Sequence, residues 1–248
     1  MDEAALHPSY EPAPAGAVHL APGELHVWAV PLGGDADPFA KLLSPPELQR
    51  LERFRFMDHR RRFQIGHGAL RVILGGYLGQ PPETVAFVHG PRGKPYLAHA
   101  PAGSAGPFFN VSHSGKLALV GIANTELGLD LEKIRHLESL NEIARRHFSE
   151  SEFSALDALP GDARQLAFYR CWTRKEAYIK ALGEGLSMPL DTFDVSLCEE
   201  PKFLACRDGR EDPANWTMHD VTPAAEFVGA AALRARSVVV RRFRLATA

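Results

Sequence analysis

Two stretches decide the reading of this chain: Gly128-Leu129-Asp130-Leu131-Glu132 and, forty residues on, Trp172-Thr173-Arg174-Lys175-Glu176-Ala177-Tyr178-Ile179-Lys180-Ala181. The first alternates with a period of two, which predicts a strand with Leu129 and Leu131 on one face and Asp130 and Glu132 on the other. In the second, Trp172, Glu176, Ile179 and Lys180 fall at i, i+4, i+7 and i+8 and share one face of a helix. Working outward, helices are predicted over 137–146 and 149–159, the latter opened by a Ser149/Glu152 capping box. A long helix over 163–182 ends at Gly183. Strands are predicted over 192–197, 215–221, 226–233 and 237–245.

The first half has the same ingredients. Residues 24–32 form a strand that stops at Pro31 and the Gly33-Gly34 turn. Ser44-Pro45-Pro46-Glu47 is a helix start. A long helix covers 61–78, a strand 85–89, a turn-rich loop 90–95, and a hairpin joins 108–113 to 117–123 around Ser114-Gly115. Phe109-Asn110-Val111-Ser112 is echoed by Phe193-Asp194-Val195-Ser196, which hints at a duplication. The class is α+β, in two similar lobes. Residues 1–22, rich in Ala and Pro, are expected to be a flexible lead, with an N-terminal lobe over 23–125 and a C-terminal lobe over 126–248.

Composition bounds the function. The 248 residues carry 28 Lys+Arg and 30 Asp+Glu, a net charge of −2, with 45% apolar residues, as in an ordinary globular protein. Cys171, Cys198 and Cys206 cannot make a disulfide framework and show no zinc-ligand spacing, so a reducing, cytoplasmic location is expected. No apolar run approaches the roughly 18 residues of a membrane span, and Met1-Asp2-Glu3 does not open a signal peptide. Between Lys41 and Arg71, eight basic residues face Glu47, Glu52 and Asp58, a local charge of +5. Such a patch in a near-neutral chain suits one small polyanion rather than nucleic acid.

Three constellations could carry chemistry. Asp130 and Glu132 on one strand face repel each other, which a hard divalent cation such as Mg²⁺ would relieve; the alternative is a solvated polar face. Glu176 and Lys180 could belong to a site or form a surface ion pair worth about 0.3–0.5 kcal/mol. In Phe109-Asn110-Val111-Ser112-His113-Ser114-Gly115, a glycine turn brings backbone N–H and imidazole groups within reach of a phosphate. Ser112 and His113 point to opposite faces and do not make a nucleophile–base pair. The chain lacks a P-loop and a G-x-G-x-x-G fingerprint.

Taken together, GLDLE at 128–132 and W-T-R-K-E-A-Y-I-K at 172–180 resemble the signature motifs of 4′-phosphopantetheinyl transferases. So do the basic 50–71 region, Gly93-Lys94-Pro95, FNVSHSG at 109–115 and Leu186-Ser187-Met188-Pro189-Leu190, in an order similar to the longer, Sfp-type branch. The resemblance runs from about residue 24 to 233. It implies two pseudo-symmetric lobes, each a small antiparallel sheet packed by a long helix, with the active site in the cleft between them. It also implies transfer of the phosphopantetheine arm of coenzyme A to a serine of an apo-acyl or peptidyl carrier protein, in fatty acid, polyketide or nonribosomal peptide synthesis, by a monomer. Adenosine 3′,5′-bisphosphate would leave.

By position, the resemblance makes Asp130, Glu132 and Glu176 ligands of Mg²⁺ and Asp130, Glu176 and Lys180 the catalytic groups. Glu176 would assist deprotonation of the serine, and Lys180 would contact the phosphate. Arg50, Lys94, Ser112, His113 and Lys180 would hold coenzyme A. Glu47 stands where some members place a phosphate-binding Lys, so another Arg from 53–62 is expected at the 3′-phosphate. Arg62 and Arg71 are read as possible partners of the opposite lobe. A coenzyme A-binding module without transfer activity and a pyrophosphohydrolase of coenzyme A-like substrates are the alternatives. Phe54, Phe56, Met57 and Phe63 could be core or a carrier contact surface, and the core is the reading favoured.

Overall fold

The computed structural model describes residues 6–14, 18–98, 106–185 and 188–246. The N-terminal half runs β1 (Glu11–Pro12), β2 (Glu24–Pro31), α1 (Asp37–Ala40), α2 (Pro45–Glu52), α3 (Met57–Leu78), β3 (Phe87–His89), β4 (Pro95–Leu97), β5 (Phe108–Ser114) and β6 (Leu117–Ala123). The second half runs β7 (Leu127–Lys133), α4 (Leu140–His147), α5 (Glu150–Asp157), α6 (Gly161–Leu182), β8 (Phe193–Val195), β9 (Phe203–Cys206), β10 (Thr217–Asp220), β11 (Phe227–Leu233) and β12 (Val239–Arg244).

The duplication is plain in the topology. In each half a strand (β2 or β7) leads through two short helices to a 22-residue helix, then a two-stranded ribbon, then a hairpin. The hairpin's second strand returns antiparallel to the first strand, giving β2-β6-β5 and β7-β11-β10. Both long helices stop on a left-handed glycine, Gly79 (φ 62°) and Gly183 (φ 73°), a conformation that costs other residues more. This alignment sets Phe193–Val195 opposite Phe87–His89, so the echo between 109–112 and 193–196 joins positions that the repeat does not equate.

The layers follow from strand alternation. On β2, Trp28 and Val30 face α3, where they pack with Ile65, Ala69 and Ile73. Leu25, Val27 and Ala29 face the other way, onto Leu127, Leu129 and Leu131 of β7. On β11, Val228, Ala230 and Ala232 face α6. The order is α3, N-terminal sheet, C-terminal sheet, α6. Each leucine buried between the sheets contributes about 1.5–3 kcal/mol, so three on β7 alone weld the lobes.

Three features differ from the sequence reading. The lead is not loose where described: Leu6 and Tyr10 are buried, and the Tyr10 hydroxyl donates to Val221 O at 2.6 Å. These two apolar side chains find a pocket that the surrounding Ala and Pro do not advertise. The partition at 125/126 is crossed by β12, which inserts parallel between β1 and β2 in the N-terminal sheet. That sheet is accordingly mixed rather than antiparallel, and Arg241 on β12 pairs with Glu24 at 2.7 Å. Third, α3 begins at Met57, a full turn earlier than the apolar spacing suggests. Among the described residues, no helix is long and apolar enough to cross a membrane.

Gly128 fixes how closely α6 lies on β7. A Cβ there would sit 2.0 Å from Ala177 O and 2.3 Å from Ala181 N, both backbone atoms that cannot step aside. Gly128→Ala is expected to cost about 3 kcal/mol or more, read as a fall in the urea midpoint. Gly161→Ala, with nothing within 4 Å of its Cβ, should leave the midpoint unchanged. Equal midpoints for the two variants would disprove the close approach.

Candidate active site between the lobes

Three small polar side chains on alternate positions of β5 build the site. Asn110 Oδ1 accepts from Leu129 N at 2.9 Å, Ser112 Oγ from Leu131 N at 3.2 Å, and Ser114 Oγ from Lys133 N at 3.0 Å. The same serines donate to the carboxylates between those amides: Ser112 to Asp130 Oδ1 and Ser114 to Glu132 Oε2, both at 3.0 Å. One lobe therefore sets the other lobe's acidic pair. Asp130 and Glu132 share a face, as the alternation predicts, and that face turns toward α6 rather than solvent; Asp130 is buried.

From α6, Lys180 Nζ reaches Asp130 Oδ1 at 2.5 Å and Ser112 Oγ at 3.1 Å. The Ser112 hydroxyl, with one donor and two acceptor positions, thus has all of them in use. Glu176, one turn earlier, is buried beside them, and Ile179 is rooted in the core. Asp130, Glu132, Glu176, Lys180, Ser112, His113 and Trp172 line one cleft of about 390 Å³. Trp172 forms its wall, stacked on Phe168 and met edge-on by His147.

The electrostatics show a deficit of positive charge. Burial, then Asp130, then Glu132 raise Glu176 to about 7, against the opposing pull of Lys180. Burial and Asp130 raise Glu132 as well. Asp130 Oδ2 is buried without a hydrogen-bond partner. Among the described residues no three such groups already stand at metal-ligand spacing; the Lys180 ammonium holds the place beside Asp130. An orphaned carboxylate oxygen and two carboxyls held above their ordinary range are nevertheless the donor set a hard divalent cation suits. His113 stands exposed at the cleft wall; partial desolvation there, and then the Lys180 charge, lower it and favour its neutral imidazole, and Arg62 and His67 on α3 are near enough to add to this.

The remaining residues singled out in the sequence are placed elsewhere. Arg50 on α2 lies over the Phe63 ring at 5.2 Å, outside the cleft lining, and Phe63 stacks on His67. Lys94, just before β4, binds backbone carbonyls at the end of α6, away from the carboxylates. Glu47 is a structural anchor. Its carboxylate accepts from Ser44 N and Oγ, His67 and the buried Arg71, and these outweigh the cost of its burial to hold it near 2. Arg71 is therefore tied within its own lobe, to Glu47 and Val85 O, and not to the opposite one. Phe56 and Met57, expected in the core, are 59% and 71% exposed; Phe54 and Phe63 are half-buried against each other. Leu186 and Ser187 lie outside the described residues.

Within the second motif, Arg174 donates to Ser196 O, Cys198 O and Glu199 O, and the fully buried Lys175 pairs with Glu152 at 2.7 Å. These two are scaffold. Asn110, Ser114 and Gly128, by contrast, are site-building residues that sequence reasoning passed over. The signal was there in Asn-x-Ser-x-Ser on a strand, a period-two polar row next to apolar neighbours.

A family model described as the 4′-phosphopantetheinyl transferase superfamily matches residues 126–233, and one described as 4′-phosphopantetheinyl transferase, N-terminal, matches residues 30–125. The chain is 40% identical over 233 residues to 4′-phosphopantetheinyl transferase HetI of Nostoc sp., covering 92% of this chain and 94% of that protein. It is 32% identical to a 4′-phosphopantetheinyl transferase of Bacillus subtilis over 72% of this chain and 77% of that one. With 4′-phosphopantetheinyl transferase Sfp of Bacillus subtilis (strain 168) it shares 29% identity over 78% and 84% of the two chains. The chain belongs to the 4′-phosphopantetheinyl transferase family, in its long, Sfp-like type.

Glu176 gives a prediction with a definite sign. Its carboxyl is raised from 4.5 to about 7 by folding, so the folded state holds the proton more tightly than the unfolded one. Ionising it costs stability as pH rises from about 4.5 through about 7, and the cost is complete above that window. Glu176→Gln should therefore stabilise the metal-free protein at about pH 8, by on the order of 1–3 kcal/mol, and much less at about pH 4.5. Urea titrations at the two pH values, with a chelator present, check this; an equal effect at both would refute the raised carboxyl.

Proposed function

We propose that this cleft transfers the 4′-phosphopantetheine arm of coenzyme A to a serine of an apo-acyl or peptidyl carrier protein. Adenosine 3′,5′-bisphosphate leaves, and Mg²⁺ is the cofactor, in the cytoplasm. The observation that carries this reading is the meeting of Asp130, Glu132, Glu176 and Lys180 in one interlobe cleft, with an Asp130 oxygen left unpartnered.

Asp130, Glu132 and Glu176 would hold Mg²⁺, which when bound supplies charge neutralisation on the pyrophosphate. The serine oxygen forms a bond to the phosphorus that bears the pantetheine arm, and the bond from that phosphorus to the bridging oxygen breaks. Positioning and charge placement do most of such a reaction. Glu176 would assist removal of the serine proton, directly or through a water. Lys180 carries its ammonium to the oxygen that gains charge as the adenosine bisphosphate departs. His113 offers an imidazole N–H to a phosphate, and binding that anion would favour its protonated form. Arg50, Phe63 and His67 stack in series toward the His113 side of the cleft, so the α2–α3 arginines supply the cationic surround for the 3′-phosphate.

Incubation with coenzyme A, Mg²⁺ and a panel of apo-carriers, read by intact mass, tests the reading. A carrier adduct of about 340 Da on serine is expected. Coenzyme A binding without an adduct would mean a binding module, and free phosphopantetheine without an adduct a hydrolase. Asp130→Ala should fold yet lose at least about 100-fold in transfer rate; wild-type transfer by that variant would remove Asp130 from the machinery.

The acceptor side has a surface of its own. Phe56 and Met57 are exposed apolar side chains at the start of α3, Arg55 lies over the Phe56 ring, and Arg60 and Arg61 follow in the first two turns of the helix. These three arginines with the exposed apolar pair complement an acidic protein surface with an apolar centre. Replacing Phe56 and Met57 together by Ser should raise KM for the carrier about tenfold and leave KM for coenzyme A within about twofold. Unchanged carrier KM would exclude this surface from docking.

A further inference from the structure

The resemblance sets Lys94 among the groups that hold coenzyme A, but its ammonium is engaged by the protein itself. Lys94 Nζ donates to the carbonyls of Lys180 at 2.7 Å, Ala181 at 2.9 Å and Leu127 at 3.4 Å. An ammonium has three donors, and three carbonyls take them. The Lys180 and Ala181 carbonyls are among the last four of α6, which have no partner within the helix, and a cation there also complements the helix dipole. Gly183 N closes the turn on Ile179 O. Leu127 is the first residue of β7.

One side chain from the N-terminal ribbon thus gathers the ends of two C-terminal elements. These are β7, which carries Asp130 and Glu132, and α6, which carries Glu176 and Lys180. The ribbon lies directly on the helix end: a Cβ on Gly183 would stand 3.2 Å from Tyr96 Oη and 3.5 Å from Lys94 Cδ. Lys94 borders a separate hollow of about 120 Å³ with Tyr96, Phe108, Phe109 and Leu127. That volume is too small for a nucleotide.

We propose that Lys94 is a positioning residue, an interlobe clamp that fixes the last turn of α6, and with it Lys180, against β7, rather than a phosphate ligand. The kinetic part of the test rests on the transferase reading; the exchange and binding parts do not.

Lys94→Met keeps the stem and removes the donors. In the full chain, three quantities are read: amide hydrogen exchange over residues 178–184, coenzyme A affinity by calorimetry without acceptor, and kcat at saturating coenzyme A. Exchange in the last turn should rise about tenfold or more, and kcat should fall about tenfold or more, while Kd for coenzyme A changes less than about threefold. Lys94→Arg, which keeps the cation and its donors, should recover part of both losses. A phosphate ligand would behave in reverse, with Kd weakened beyond threefold; that result overturns the clamp whatever kcat does. Wild-type exchange or wild-type kcat in Lys94→Met overturns it too. Should the Met variant not fold, Lys94→Gln, which keeps two donors, is held to the same pattern at smaller amplitude. If the wild-type protein modifies no carrier, the transferase reading fails by itself, and exchange with coenzyme A affinity still decides the clamp.

Discussion

Strand β7 lies at the edge of its sheet, paired with β11 on one side only. Its other row of amides, at Leu129, Leu131 and Lys133, would be left open. No backbone fills that row. The side-chain oxygens of Asn110, Ser112 and Ser114 do, at the same two-residue spacing as the amides they meet. An exposed strand edge is ordinarily a liability; here it becomes the joint between the lobes. The joint also fixes register. A slip by one residue would turn Asp130 and Glu132 toward the leucine layer, where no partner could offset their charge. Because the serines grip amide and carboxylate at once, joining the lobes and aiming the acids are a single event.

Helix α6 separates scaffold from chemistry by rotation. Lys175 and Lys180 are five residues apart, roughly 140° around the axis. Lys175 points to the buried Glu152, which also caps α5 through Ser149 N and accepts from Val195 N. All three ammonium protons of Lys175 are taken, by Glu152, Leu190 O and Phe193 O, and Glu152 accepts from three donors, the kind of satisfaction under which a buried ion pair is tolerated. Lys180 faces an incomplete set, with three carboxylates to one ammonium. The helix is held rigidly on one side so that an electrostatic imbalance can persist on the other. Gly128 allows the two sides to meet at backbone distance.

What the sequence disclosed was local. Alternation at 128–132, the helix start at Ser44, the capping box at Ser149, the stop at Gly183 and the helical face of Trp172, Glu176 and Lys180 each rest on residues within a turn or two of one another. The carboxylates, Lys180, Ser112 and His113 were legible as one site only through the family resemblance of the three motifs that carry them. Lys94 and Glu47 were not legible: their partners lie 86 and 24 residues away in sequence, at Lys180 and Arg71. A Lys in a glycine-rich loop gives no sign that carbonyls of a distant helix will claim it. Phe56 and Met57 mislead for another reason, since apolarity alone does not tell a buried side chain from one awaiting a partner.

The insertion of β12 between β1 and β2 bears on how the molecule comes to be. As the chain is synthesised, β2 emerges early, and its outer edge remains without the strand it finally bears until residues 239–244 follow. The N-terminal sheet is thus finished last, by a segment that must cross the whole of the second lobe first. Contacts so distant in sequence slow folding and leave an open edge exposed meanwhile. The two halves look like repeated units, yet the N-terminal sheet takes a strand from the far end of the chain, and cutting between the halves would strand β12 away from its sheet.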